Sequence, residues 1–301
     1  MERPYILHMF TPGPHISPFD SNMAADAGWQ LVLPYASVDR KALTGLTQDA
    51  IFSRGPKGVA RTGIFIGGRD VLLAADMLED ARRAMVPPFD VPVFADPSGS
   101  YTTAAALVAC VQAQLRKAHG TALADKRVLI LGGTGTVGRI AGVLAAREGA
   151  SVRLGSHSGL EAAQRAARET GERFGCTLEG LSCRGADEVR EAAAEADVVL
   201  GTAAAGVQVL GERERRAATR LLVAADVNAV PPEGLAGVGV MDMGKPLPDS
   251  KAVGIGALAV GNVKYQVQHR LLARMRDADR PLSLGFPEAY ALACEMLAEG
   301  D

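Results

Sequence analysis

The sequence predicts an α/β fold with two domains, the second a doubly wound parallel sheet. Three observations predict it. Short apolar runs alternate with longer segments of helical spacing along the chain, as parallel strands joined by crossover helices do. Apolar residues make up 48% of the 301 residues but aromatics only 5%, so Ala, Gly and Val must fill much of the core, which suits helices packed closely on a buried sheet. A glycine-rich turn, "GGTGTVG" at 132–138, follows one apolar run and opens a helical one.

In chain order, "YILHMF" (5–10) reads as the first strand. "SPFDSNMAADAG" (17–28) reads as a helix, with Ser17 as N-cap, Pro18 at the first helical position and Gly28 as the stop. "WQLVLPYA", "TGIFIGG" and "VPVFAD" are further strands, and "RDVLLAADMLEDARRAM" (69–85) has apolar residues at helical spacing. The first hundred residues or so thus make an α/β unit of about four strands. A helix from Thr102 to His119 leads to the strand "RVLIL". The strands "SVRLG", "TLEGLSC", "ADVVLGTA" and "LLVAADVN" follow, the first three each succeeded by helical pattern. Helices from Asn262 to Met275 and from Pro287 to Ala298 close the chain. "VPPFDVP" and "AVPPEG" are turns, too short to be linkers.

The formal net charge of −2, without a long basic or acidic run, points away from nucleic acid and membrane surfaces as partners. Cys110, Cys176, Cys183 and Cys294 have no CxxC spacing and the histidines no HxxxH, so no metal site is expected. The cysteines fit reduced thiols in a cytoplasmic protein. "MERPYILHMF" lacks the pattern of a signal peptide.

Gly133, Gly135 and Gly138 have GxGxxG spacing between a strand and a helix, with a second strand about 20 residues on. That context predicts a Rossmann unit binding NADP or NAD. Gly133 is assigned the tight turn, Gly135 the close approach of backbone to pyrophosphate, and Gly138 the helix–strand packing. The N–H groups of Thr134, Gly135, Thr136 and Val137 then face the phosphate charge. The alternative is a structural glycine turn. The ligand crevice of such a sheet lies outside the carboxyl ends of its strands. Those ends carry Ser156 and His157, then Ala203 and Ala204, whose small side chains let a coenzyme lie close, then Asn228. Asn228 is read either as a ligand of carboxamide or ribose, or as a turn residue before Pro231-Pro232.

The second strand usually ends in an acid that binds the ribose hydroxyls. Here Ser156-His157-Ser158 stand instead. Hydroxyls and an imidazole can donate to a 2′-phosphate, yet no Arg stands in the loop. The expectation is that both coenzymes are accepted and NADP is favoured by roughly 1–2 kcal/mol, about tenfold.

Three further segments carry polar groups. Asp20 falls in the first turn of the first helix, where it either serves the helix dipole or faces a ligand. "ADPSGSYTTAAA" gathers Asp96, Ser98, Ser100, Thr102 and Thr103 at a strand–turn–helix junction, read as ligand contacts or as capping chemistry. Lys264 lies near the start of the helix expected at 262–275, where the dipole disfavours it, so a polar partner or a solvated surface must account for it.

With these segments in view, the chain closely resembles the NAD(P)-dependent methylene-tetrahydromethanopterin dehydrogenases of methylotrophic bacteria. The resemblance spans essentially the whole chain. It is carried by "ILHMFTP", "SPFDSNMAADAG", "LTQDAIFSR", "RTGIFIGG", "VPPF", "FADPSGSYTTAAA", "ADVNAVPP" and "GIGALAVGNVKYQ". It implies a substrate domain of residues 1–103 joined by the returning C-terminal helices (about 262–301), and an NAD(P)-binding Rossmann domain of residues 104–261. It implies oxidation of methylene- to methenyl-tetrahydromethanopterin, a step of formaldehyde oxidation, in a homo-oligomer (trimer or hexamer). Asp20 and Lys264 are then expected at the reacting centre, with Asp96, Ser100, Thr102 and Thr103 on the substrate. The family has an NADP-specific branch that tolerates tetrahydrofolate and a branch that takes either coenzyme. Most motifs resemble the second branch, while "GGTGTVG" resembles the first, which leaves coenzyme preference open. The rival readings are a methylene-tetrahydrofolate dehydrogenase and a non-catalytic NADP(H)-sensing protein, for which Asp20 and Lys264 would be dispensable.

Overall fold

The structure, a computed structural model, describes residues 3–299. Its strands are β1 (Ile6–Phe10), β2 (Leu31–Tyr35), β3 (Thr62–Ile66), β4 (Val93–Ala95), β5 (Arg127–Leu131), β6 (Ser151–Ser156), β7 (Glu179–Ser182), β8 (Val198–Gly201), β9 (Val223–Asp226), β10 (Met243–Pro246), β11 (Val253–Ile255) and β12 (Ser283–Leu284). Its helices are α1 (Pro18–Asp26), α2 (Arg40–Phe52), α3 (Gly55–Val59), α4 (Val71–Ala84), α5 (Ser100–His119), α6 (Thr136–Arg147), α7 (Leu160–Phe174), α8 (Ala186–Ala194), α9 (Glu212–Ala217), α10 (Ala257–Arg276) and α11 (Phe286–Glu299).

Two compact units result. One comprises the chain up to Thr102 with Tyr265–Ala289, the other Thr103–Lys264 with the residues from Tyr290 on. The resemblance implies that about 262–301 joins the first unit; of that stretch Tyr265–Ala289 groups with the first unit and α11 from Tyr290 with the second.

The first unit is built on a parallel sheet in the order β12-β4-β3-β1-β2. β3 is buried along its whole length, and its Gly-Ile-Phe-Ile run reads as a strand covered on both faces. Ile64, Phe65, Leu7 and Met9 are each 0% exposed; burial of such a side chain contributes about 1.5–3 kcal/mol. β2 is the edge, and Pro34 is tolerated there because its missing N–H breaks no inner ladder. The fifth strand, β12, comes from the C-terminal region and pairs Ser283 with Val93. Two residues carry no sequence period, so it escaped the expected count of four. The sequence reading also omits the helix α2: "RKALTGLTQDAIF" has Thr47 in its core-facing stripe and Gly45 in its interior. Its start is fixed by Asp39, whose carboxylate accepts the Ala42 N–H at 2.8 Å. Trp29 ties the C-terminal segment to this unit by donating Nε1–H to the Leu272 carbonyl at 3.1 Å.

The second unit holds a seven-stranded sheet in the order β10-β11-β9-β8-β5-β6-β7, parallel except for β10. β5 lies between β6 and β8, so strand order reverses there. Such a switch point opens a crevice at the carboxyl ends. The first sheet has its own reversal between β1 and β3. Leu129, Leu131, Val199, Ala224 and Leu235 form part of one core layer of the second unit. β10 and β11 were not expected, because "MGKPLPDSKAVGI" reads by its Gly and Pro content as loop.

Candidate active site

The turn after β5 is shaped by close approaches at three of its glycines. Gly132, not Gly133, takes the left-handed conformation (φ +79°), and a Cβ there would lie 2.6 Å from the Ala203 nitrogen. The tight turn expected of Gly133 is therefore made one residue earlier. Gly133 is needed for packing instead: its Cβ would stand 2.8 Å from both the Ile130 carbonyl and Leu154 Cα. At Gly138 a Cβ would meet Gly133 Cα and Thr202 Oγ1, both at 2.8 Å, as expected for helix–strand contact. Gly135 differs. Its φ of −74° suits any residue, and the nearest protein atom to a Cβ is the Gly132 carbonyl at 3.3 Å.

Gly135 is also the N-cap of α6 and has no side-chain cap. The first N–H groups of that helix, from Thr136 and Val137 onward, lack a partner from a capping side chain. The turn opens on a cleft of about 750 Å³ whose wall includes Gly132, Thr134, Gly135, His157, Arg184, Ala203 and Ala204. The combination suits a pyrophosphate: uncapped helix N–H groups, a glycine at the helix start, and a concavity of ligand size. Cys183 and Val189 supply apolar wall. Burial, with Glu188 adding to it, pushes the Cys183 thiol up to about 11.

Two residues expected on this cleft are engaged elsewhere. Ser156 is 1% exposed and its Oγ accepts the Ser158 N–H at 3.2 Å, because it closes the β6–α7 turn. Asn228 follows its turn reading: Oδ1 accepts N–H groups of Gly206 and Val230, both at 3.0 Å, and Nδ2 donates to the Pro232 carbonyl at 2.9 Å. It thereby fixes the loop after Ala203 and Ala204. Asp226, just before it, accepts N–H groups of Asn228, Gly234 and Leu235. Burial raises its pKa against the pull of those donors.

In the first unit, β1 leads directly into α1. Ser17 Oγ accepts the Phe19 N–H at 3.2 Å and Pro18 opens the helix, as the sequence predicts. Asp20 in the first turn is only 3% exposed. Gln268, fully buried on α10, donates Nε2–H to Asp20 Oδ1 at 2.8 Å. A buried carboxylate held by a buried amide is costly unless fully partnered, so this pair is not a mere surface response to the dipole. Gln268 lies 248 positions from Asp20, and no local signal links them.

Lys264 is 9% exposed, and α10 begins at Ala257, five residues earlier than expected. Lys264 therefore stands inside the helix. The dipole no longer singles it out; burial does, since an ammonium is rarely taken from water without partners. Lys264 and Gln268 are one turn apart and share a face of α10.

At the strand–turn–helix junction the capping reading has direct contacts. Asp96 Oδ1 accepts N–H groups of Tyr101 (3.0 Å) and Thr102 (3.2 Å), and Oδ2 accepts the Thr102 hydroxyl at 2.7 Å. Asp96, Ser100 and Thr102 are at most 1% exposed. The carboxylate is thus spent on the orphan N–H groups that begin α5. Thr103 is half-buried one residue further along the helix. The exposed member of the cluster is Ser98, which donates to the Gly68 carbonyl at 2.7 Å.

A family model described as methylene-tetrahydromethanopterin dehydrogenase, N-terminal, matches residues 18–98, a span that includes Asp20 and Asp96. The chain is 49% identical over 291 residues to the NAD(P)-dependent methylenetetrahydromethanopterin dehydrogenase of Methylorubrum extorquens, covering 97% of this chain and 98% of the relative. It is 31% identical, with the same coverage, to the bifunctional protein MdtA of that organism. Among solved structures it is similar to shikimate 5-dehydrogenase from Listeria monocytogenes, a complex with shikimate and NAD, at a TM-score of 0.50 and 12% identity over 96% of each chain. That likeness concerns the fold alone.

Proposed function

This chain belongs to the family of NAD(P)-dependent methylenetetrahydromethanopterin dehydrogenases, and on that premise we propose how its own residues carry the reaction. The enzyme is an oxidoreductase that converts methylene- to methenyl-tetrahydromethanopterin with NAD(P) as co-substrate. The single observation that carries this is 49% identity maintained over 97% of the chain.

The carbon to be oxidised lies between two nitrogens. When it gives up hydride, the cation left behind is shared by both, so no general base is required. When bound, the coenzyme supplies the hydride acceptor. The protein's task is to hold the two partners in line and keep water away. The glycine turn and the start of α6 bind the pyrophosphate. Ala203 and Ala204, steadied through Asn228, leave room for the rings. Asp20 stabilises the developing cation or holds the donor edge of the pterin, and Gln268 keeps its carboxylate in one orientation. Lys264 binds a polar group of the pterin. The carboxylate is prepaid: it is already desolvated and hydrogen-bonded before substrate arrives.

The enzyme acts as a homo-oligomer in the cytoplasm, without nucleic acid. The four cysteines are all free, which supports a reducing compartment. Among the described residues no helix is long and apolar enough to cross a membrane. Exposed Leu31 and Leu33 on the edge strand β2 support a further protein contact. The test of the activity is a spectrophotometric assay of purified protein with both pterins and both coenzymes. Reduced coenzyme should form with methylene-tetrahydromethanopterin. Turnover with the tetrahydrofolate derivative alone, or with neither, would contradict the assignment.

A further inference from the structure

The ribose corner of the cleft contains a fixed positive charge that its own loop does not encode. β6 ends in Ser156-His157-Ser158, with no carboxylate to claim a ribose 2′-hydroxyl. Arg184 arrives from the neighbouring strand, just beyond β7, and lines the cleft beside His157. Its guanidinium Nη2 donates to the Ser158 carbonyl at 3.1 Å.

Two features build this position. Glu188 Oε2 accepts both the Arg184 backbone N–H and the Ser182 hydroxyl, each at 2.7 Å, which pins the loop from which Arg184 projects. Gly159 (φ +98°) lets the guanidinium lie against the opposite turn: a Cβ there would stand 2.5 Å from Nη2. Among the described residues Arg184 makes no close ion pair with a carboxylate, although its charge, after its backbone N–H, helps to lower the pKa of Glu188, and Asp187, close by, is paired with Arg190 at 2.7 Å. The guanidinium thus has one donor committed to a carbonyl, on a residue that lines the cleft. A planar fork of N–H groups with an imidazole beside it matches a phosphate monoester, through bidentate charge-assisted hydrogen bonds.

We propose that Arg184, with His157, binds the 2′-phosphate of the adenosine ribose and makes this chain selective for NADP over NAD. The assignment rests on the coenzyme reading of the cleft and sharpens it. Arg184 is a specificity-determining residue and takes no part in hydride transfer. The tenfold preference expected from the loop alone becomes on the order of 10²-fold, because a fixed charge now faces the phosphate.

Calorimetric titration of the full chain with NADP and with NAD tests this, in the parent, Arg184→Ala and Arg184→Lys. No pterin is needed. The parent should bind NADP about 10²-fold more tightly than NAD; Arg184→Ala should lose most of that difference through NADP, moving NAD by less than about threefold. Arg184→Lys, which keeps the charge but not the fork, should fall between. An unchanged NADP-to-NAD ratio in Arg184→Ala, or equal weakening of both coenzymes, overturns the role of Arg184 and leaves the coenzyme cleft standing. Failure of the parent to bind either coenzyme overturns both.

Discussion

Gly135→Ala and Gly138→Ala separate a coenzyme turn from a merely compact one. At Gly138 an added methyl would lie 2.8 Å from Gly133 Cα, 2.8 Å from Thr202 Oγ1 and 2.9 Å from the Gly132 carbonyl. Carbon prefers about 3.5–4.0 Å, so α6 must move off the sheet. Overpacking of this kind costs about 1–3 kcal/mol. For a unit of this size each kcal/mol lowers Tm by roughly 2–4 °C, giving a drop of about 2–12 °C. At Gly135 the methyl has 3.3 Å to the Gly132 carbonyl and 3.9 Å to that of Thr202, in a backbone conformation open to any residue. The loss is that of replacing Gly by Ala at an N-cap, about 0.5–1 kcal/mol, with the Gly132 carbonyl giving way by a few tenths of an ångström. The methyl does project where a pyrophosphate must approach. Displacing it from the helix N–H groups forfeits about 1.5–3 kcal/mol of charge-assisted bonding, which is roughly 10- to 150-fold in Kd. Thermal melts and fluorescence titration with NADPH read the two effects. Gly135→Ala should melt close to the parent and bind poorly. Parental affinity in Gly135→Ala would refute the assignment of this turn to phosphate.

Other consequences are as direct. Asp20→Ala should lower kcat/KM by on the order of 10²-fold, the scale of lost transition-state electrostatics, with coenzyme Kd little changed; near-parental turnover would return Asp20 to a purely structural role. Gln268→Leu should lower kcat/KM in the same direction by about tenfold, since it frees the carboxylate that it holds; no change would exclude it from positioning Asp20. Asp226→Asn replaces an oxygen that accepts N–H groups of Gly234 and Leu235 by an amide that cannot, and should cost about 1–3 kcal/mol in denaturant unfolding; an unchanged midpoint would contradict the bonding. At pH 8 the Cys183 thiol, pushed up to about 11, should alkylate roughly 200-fold more slowly than an ordinary thiol, the rate climbing about tenfold per pH unit. Peptide mass spectrometry after iodoacetamide checks this, and rapid labelling at neutral pH would contradict it.

The coenzyme half was legible because its signals are local. A buried strand, a glycine turn and a helix follow one another within about a dozen residues, and their period and composition suffice to place them. Even there the division of labour moved: Gly132 bends the chain and Gly133 packs, since only the approach of Ala203 from β8 decides which glycine must turn. Signals failed where partners are distant. Arg184 reaches its site through strand pairing of β6 with β7, and Gln268 meets Asp20 across most of the sequence. Asp96 and Thr102 have the residue types of a ligand site and those of a helix cap, and composition does not separate the two. Lys264 stands inside a helix that starts at Ala257, and its burial, invisible in the sequence, is what sets it apart from a solvated lysine.

Direct transfer of hydride from the pterin carbon to the coenzyme is tested best by isotope. The full chain is incubated with tetrahydromethanopterin carrying a dideuterated methylene group and with oxidised coenzyme, and the reduced coenzyme is weighed by mass spectrometry. The account predicts one deuterium in the reduced nicotinamide and one retained in the methenyl product. Reduced coenzyme without deuterium, or no reduction at all with this substrate, would contradict it.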